Sequence, residues 1–131
     1  MLMEFSIKTK SRTDFIDITG AVSELLKDER VKDGLCHIFV PHTTAGITIN
    51  ENADPDVMAD ITAYLDTAVP WKNNYGHSEG NSAAHIKASL LGSSVSVPVS
   101  NGSLVLGTWQ GIYFSEFDGP RTRKVIVTVI T

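Results

Sequence analysis

The chain has 131 residues, of which 42% are hydrophobic and 20% charged, enough to bury the core of one domain and too apolar for a disordered or fibrous chain. Its formal net charge is -4, and its eleven basic residues are scattered apart from Arg121, Arg123 and Lys124, which argues against a partner recognised through a phosphate backbone. A single cysteine, Cys36, excludes an internal disulfide, a CxxC redox motif and a multi-cysteine zinc site.

Met3 to Thr9 alternates apolar and polar residues and reads as a half-buried strand. Ala21, Val22, Leu25, Leu26 and Val31 then follow helical spacing, with Asp17 or Thr19 as the candidate N-cap and Asp33-Gly34 as the stop. Leu35 to Val40 is nearly all apolar, as in a buried strand, and the alternating Ala45, Ile47 and Ile49 give another. A helix begins near Asp54-Pro55, since proline at the first helical position needs no amide donor. Its apolar face is Val57, Met58, Ile61, Tyr64 and Leu65. The polar loop Trp71 to Gly80 leads to a short helix, Ser82 to Leu91, with Asn81 as candidate cap. The remainder reads as strands over Val95 to Val99, Leu104 to Leu106, Gln110 to Glu116 and Lys124 to Ile130, with Asn101-Gly102 as a hairpin turn. Regular βαβ alternation is absent, so the expected fold is α+β, a largely antiparallel sandwich with two to three helices. No segment reaches the ~18 apolar residues of a membrane span, and no export signal stands at the N-terminus, so the expected compartment is the cytoplasm.

Four stretches carry more polar chemistry than turns require. Pro41-His42-Thr43-Thr44-Ala45-Gly46 pins an imidazole and two hydroxyls at the junction of two apolar strands. Taken alone, His42 reads first as a turn histidine bonded to a backbone carbonyl. His77, Glu79 and His85 lie on a loop and the helix after it. Two imidazoles and a carboxylate suit zinc or a similar divalent ion, with His42 as a third imidazole, yet the spacing matches no named short zinc motif. The bland alternative has Asn81 capping the helix, Glu79 favouring its positive end and both histidines solvated. In the third stretch Gly107 and Gly111 flank Trp109-Gln110, as where a backbone comes close to a ligand, and Arg121 follows the turn Asp118-Gly119-Pro120. Arg121 is expected to pair with Glu116 or to clamp a phosphate or carboxylate. In Asn50-Glu51-Asn52-Ala53-Asp54-Pro55-Asp56, the aspartates suit a helix start and Glu51 and Asn52 remain candidates for a cation or amine. His37, between apolar residues, reads as a core or interface histidine.

Pro41-His42-Thr43-Thr44-Ala45, Asn50-Glu51-Asn52, His77 through Lys87, and Gly107-Thr108-Trp109-Gln110 with Asp118-Gly119-Pro120-Arg121 together resemble the YjbQ family, over essentially the whole chain. Its members are named as secondary thiamine-phosphate synthase enzymes, many of them of unknown function. The resemblance implies a YjbQ-like sandwich that forms a homotrimer, with the polar motifs gathered in a pocket near the subunit boundary. It also implies a divalent metal, zinc in the first instance, on His42, His77 and His85, with Glu79 and His85 as catalytic groups. Thr43, Thr44, Asn81, Trp109, Gln110, Glu116 and Arg121 would line the substrate. The implied reaction joins a pyrimidine diphosphate to a thiazole phosphate with loss of pyrophosphate, although the chain has neither a P-loop nor a dense basic patch. The leading expectation is therefore a small metal-dependent enzyme acting on a phosphorylated or heterocyclic metabolite, with a non-catalytic module binding a small ligand or metal as the alternative. The expected partner is a small molecule, not nucleic acid or membrane.

Overall fold

A computed structural model describes residues 1–131. The elements in chain order are β1 (Leu2–Lys8), β2 (Asp14–Asp17), α1 (Thr19–Asp28), β3 (Gly34–Phe39), β4 (Ala45–Glu51), α2 (Pro55–Ala68), α3 (Ser82–Leu91), β5 (Ser94–Ser100), β6 (Ser103–Leu104), β7 (Gln110–Glu116) and β8 (Thr122–Ile130). The strands form two sheets, one in the order β1-β8-β3-β5-β6 and one in the order β2-β7-β4. Every pairing is antiparallel. The expected α+β sandwich is therefore the fold observed, with three helices.

The two sheets face each other across one core. Cys36, Ile38, Val97, Val125, Val127 and Val129 from the larger sheet meet Ala45, Ile47, Ile112 and Phe114 from the smaller, and α1 closes one side with Val22 and Leu26. Burying side chains of this size contributes about 1.5–3 kcal/mol each before conformational entropy is set against it. A second cluster, Leu65, Ala84, Ala88 and Phe117, joins α2 and α3 to the end of β7. No helix is long and apolar enough to cross a membrane.

Helix α3 lies on β4, and Gly46 is what lets it. A Cβ at Gly46 would stand 2.7 Å from the carbonyl oxygen of Gly92, which accepts a hydrogen bond from the Ile47 amide at 3.0 Å. This contact sets the height of α3 above the sheet and hence the position of its first turn.

Several expectations change in detail. The strand β2 lay hidden in Asp14–Asp17, four residues whose aspartates mask their pairing with β7. Asp17 precedes the N-cap position of α1, Ile18, and its Oδ1 accepts from the Thr19 amide and hydroxyl. Leu35 to Val40 is only half a buried run: Cys36 and Ile38 point inward, while Leu35 and Phe39 stand on the outer face. Asp54 caps α2 as expected, accepting from the Asp56 amide at 2.9 Å. The Asn101-Gly102 turn joins β5 to β6 with positive φ at both residues.

Candidate functional site

Three connections meet at one end of the sandwich: the β3–β4 link carrying His42, Thr43 and Thr44, the loop into α3, and the β7–β8 turn. Between them lies a pocket of about 420 Å³ lined by Pro41, His42, Thr43, Thr44, His77, Glu79, Asn81, His85, Arg121 and Arg123. His42, His77, Glu79 and His85, which share no local motif, thus share one cavity. The rings of His77 and His85 meet edge to face, their centroids 5.5 Å apart.

Behind the lining residue Arg123 lies a buried ion pair with Glu116, which does not line the pocket and so, contrary to expectation, does not contact a ligand there. Glu116 is wholly buried and Arg123 nearly so. Arg123 donates from Nε to Glu116 Oε1 at 2.8 Å and from Nη2 to Glu116 Oε2 and Thr44 Oγ1. Glu116 also accepts from the Thr9 hydroxyl and the Asp118 amide. Burial alone would raise the Glu116 carboxyl, but the Arg123 bonds, the Asp118 amide and the Thr9 hydroxyl reverse that, and its pKa lies below 4.5. The expected Arg121–Glu116 pair is therefore corrected: Arg123 takes Glu116 because β8 aims its side chain inward. Arg121 lies in the turn and donates to the Asp118 carbonyl at 2.9 Å and to Asp118 Oδ2 at 3.1 Å. Two of its five N–H groups are used, and the remainder are available to the pocket.

Asn81 stands at the cap position of α3 but makes no capping bond. Its Nδ2 instead donates to Glu79 Oε2 at 3.1 Å and Asp118 Oδ2 at 2.9 Å, tying the loop to the β7–β8 turn. Its Oδ1 is buried without a partner, an unmet acceptor among the lining residues.

His42 has a defined role. The Lys124 amide donates to its Nε2 at 2.9 Å, so the neutral ring carries its proton on Nδ1. Burial and the neighbouring Arg123 charge push its pKa below 6.5. With Nε2 engaged and Nδ1 protonated, the ring offers a metal no lone pair. No three His, Cys, Asp or Glu side chains are arranged to hold one ion. The three histidines expected to bind zinc share a pocket without forming a ligand set. His42 also gives a pH prediction. The folded chain takes up this proton less readily than the unfolded chain, so the contact stabilises fully above 6.5 and is lost as pH falls through the lowered folded value. In thermal melts, His42→Gln, which keeps an acceptor but cannot titrate, should lose less stability than wild type on acidification.

Trp109 and Gln110 do not reach this pocket. They sit at the start of β7, whose other end carries Glu116, six residue steps or roughly 20 Å away. Gln110 Oε1 accepts from the Gly107 amide at 2.8 Å, and Trp109 is solvent-exposed. The glycines around them serve neighbouring side chains: a Cβ on Gly111 would strike Asn52 and one on Gly107 would crowd Gln110. Asn52 and Glu51 belong to this far end too, where Asn52 Nδ2 donates to Asp17 and Glu51 Oε2 accepts from the Asp54 amide. Thr44 is buried under the Arg123 guanidinium, which leaves Thr43 as the more accessible hydroxyl of the pair. Sequence reading missed Arg123; its signal is the cation at an inward position of β8, between Thr122 and Lys124 and two residues before Val125.

Residues 3–131 match the family described as UPF0047 protein YjbQ-like. The chain is 52% identical over 130 residues to a UPF0047 protein of Methanocaldococcus jannaschii, covering 99% of this chain and 94% of the relative. It is also 52% identical to the UPF0047 protein YugU of Bacillus subtilis, with 99% of both chains covered. Among solved structures, an uncharacterized conserved protein of the yjbq/upf0047 family from Clostridium acetobutylicum superposes with a TM-score of 0.95 at 58% identity, covering 98% of this chain and 99% of that one. Fold, motifs and full-length similarity agree: the chain belongs to the YjbQ-like UPF0047 family.

Proposed function

We propose that the pocket binds the phosphate or diphosphate end of a small metabolite and that His85, with Glu79 beside it, carries out proton transfer on the bound molecule. The observation behind this reading is the lining itself: two guanidiniums, three imidazoles and two hydroxyls converge with one carboxylate, Glu79, and Pro41 is the one apolar side chain among them. Arg121 offers free N–H groups in a planar fork that suits a phosphate, and His42 adds its Nδ1–H. His77, Glu79 and His85 add acid–base groups to the same lining. The lining has no Phe, Tyr or Trp and is rich in N–H donors, which favours a phosphorylated group over a heterocycle as the feature recognised.

Thiamine-phosphate synthesis falls within this class. There the C–O bond to diphosphate breaks with the electron pair leaving on oxygen, and the thiazole nitrogen forms a C–N bond to the same methylene. Cations at Arg121 and Arg123 would stabilise the departing diphosphate. Calorimetric titration with pyrophosphate tests the anion site. Wild type should bind saturably, and Arg121→Gln should weaken binding about tenfold or more, as loss of a charge-assisted hydrogen bond worth about 1.5–3 kcal/mol requires. His85→Gln should bind nearly as well as wild type while losing turnover. Equal affinity in wild type and Arg121→Gln would overturn the assignment.

The homotrimer is part of the same reading. The outer face of the larger sheet carries Leu35 between Pro98 and Ile130, and Phe39 beside Ile126, in facing register. No helix covers these side chains, and Leu35, Phe39 and Ile130 are exposed. A contiguous apolar sheet face of this kind suits association with further copies. Sedimentation velocity should give a trimer for wild type and a smaller species for Leu35→Lys/Phe39→Lys. A monomeric wild type would remove this part of the proposal.

A further inference from the structure

A second pocket, about 380 Å³ in volume, lies where the β1–β2 loop, the last turn of α2, Trp71 and α3 come together, and it shares no residue with the first. Its lining is Arg12, Thr13, Asp66, Trp71 and Lys87. Lys87 is the unusual member. It sits on the buried face of α3 beside Ala83, Ala84 and Ala88, and only 5% of its side chain is exposed.

An ammonium has three N–H donors and loses strong hydration on burial, so it needs partners. Lys87 has one, Asp66 Oδ1 at 2.5 Å, and that carboxylate is 57% exposed on the last turn of α2. Water competes for such an acceptor, which makes it a weak counterion for a charge held so deep. A second cation stands opposite. The Arg12 guanidinium lies 4.1 Å from the centroid of the Trp71 ring and donates to no protein acceptor. This cation–π contact holds the guanidinium beside the ring without using its N–H groups. The lining therefore holds two cations and one carboxylate, with the unused donors of both cations available to the cavity.

We propose that this is an anion subsite, in which the oxyanion of a phosphate or carboxylate group bridges Arg12 and Lys87. Asp66 acts there as the internal occupant that the ligand displaces from Lys87. Because α3 supplies His85 and Asn81 to one pocket and Lys87 to the other, the subsite stands on the helix that also walls the first pocket.

Trp71 is the local reporter. In a Trp109→Phe background it is the only tryptophan, and its emission is read while inorganic phosphate, and separately acetate, is titrated to millimolar levels. A saturable change is expected with at least one of them: phosphate alone identifies a phosphate subsite, acetate alone a carboxylate subsite. Lys87→Met and Arg12→Gln should each weaken the response at least tenfold, whereas Arg121→Gln in the first pocket should leave it intact. Asp66→Asn should tighten it several-fold, since it removes the competing carboxylate; a purely structural ion pair predicts no tightening. Should Lys87→Met fail to fold, the exposed Arg12 and Asp66 variants still decide. The proposal is overturned by a flat titration with both anions, by a response that survives both cation substitutions, or by Asp66→Asn binding no tighter than wild type. Loss of the response on Arg121→Gln would assign it to the first pocket and overturn the subsite as well.

Discussion

Glu116→Leu should destabilise the fold by about 3–5 kcal/mol, because it removes the one carboxylate that pairs with the buried Arg123 guanidinium. Thr44 would remain as its only side-chain acceptor, through a neutral hydroxyl. The double variant Glu116→Leu/Arg123→Met should recover most of that loss, since two apolar side chains of similar volume remove the desolvation cost along with the pair. Urea denaturation of the four proteins in the cycle measures this directly, and a double variant as unstable as the single would show that the pair itself holds the fold. The same carboxylate makes the protein acid-sensitive. Its folded pKa lies below 4.5, so its contribution is whole above that value and is lost as pH falls through the lowered one. The double variant should accordingly show a shallower loss of stability in acid.

Gly46→Ala should cost about 1–3 kcal/mol and disturb the site as well as the fold. The new methyl meets the Gly92 carbonyl, a backbone atom that accepts from Ile47 and cannot turn away as a side chain would. Relief requires α3 to lift from β4, which moves His85 and Asn81 relative to His42 and Arg121. Pyrophosphate affinity should therefore fall alongside the melting temperature. A variant that loses stability with unchanged affinity would separate the α3 contact from the geometry of the pocket.

The sequence was most legible where one signal governs a whole element. Pro55 after Asp54 marks the start of α2, and Asn101-Gly102 marks the β5–β6 turn. Asn81 and Leu91 bound α3 because a polar loop stops and an alanine-rich helix starts there. It was least legible where a residue's meaning depends on which face the tertiary fold chooses. Asp14–Asp17 did not read as a strand, since β2 is short and its pairing with β7 is set from across the sheet. Arg121 and Arg123 differ by two positions, yet one lies in a turn and the other points into the core, and charge alone does not distinguish them. The histidine grouping held in space, but the hydrogen bond from Lys124 to His42 Nε2 is an 82-residue contact that no spacing argument contains. The resemblance placed Trp109 and Gln110 with the histidines in one lining; a strand of seven residues carries them to the other end of the sheet.

On the reading proposed above, His42, Thr43, His77, Glu79, His85 and Arg121 form one anion-binding pocket. Amide and imidazole NMR spectra of the isotopically labelled chain, recorded during titration with pyrophosphate, test it most directly. Saturable shifts are predicted in residues 41–44, 77–85 and 121–123 and in the ring signals of His77 and His85. Unmoved signals in all three segments at saturating pyrophosphate would show that these residues do not bind the anion.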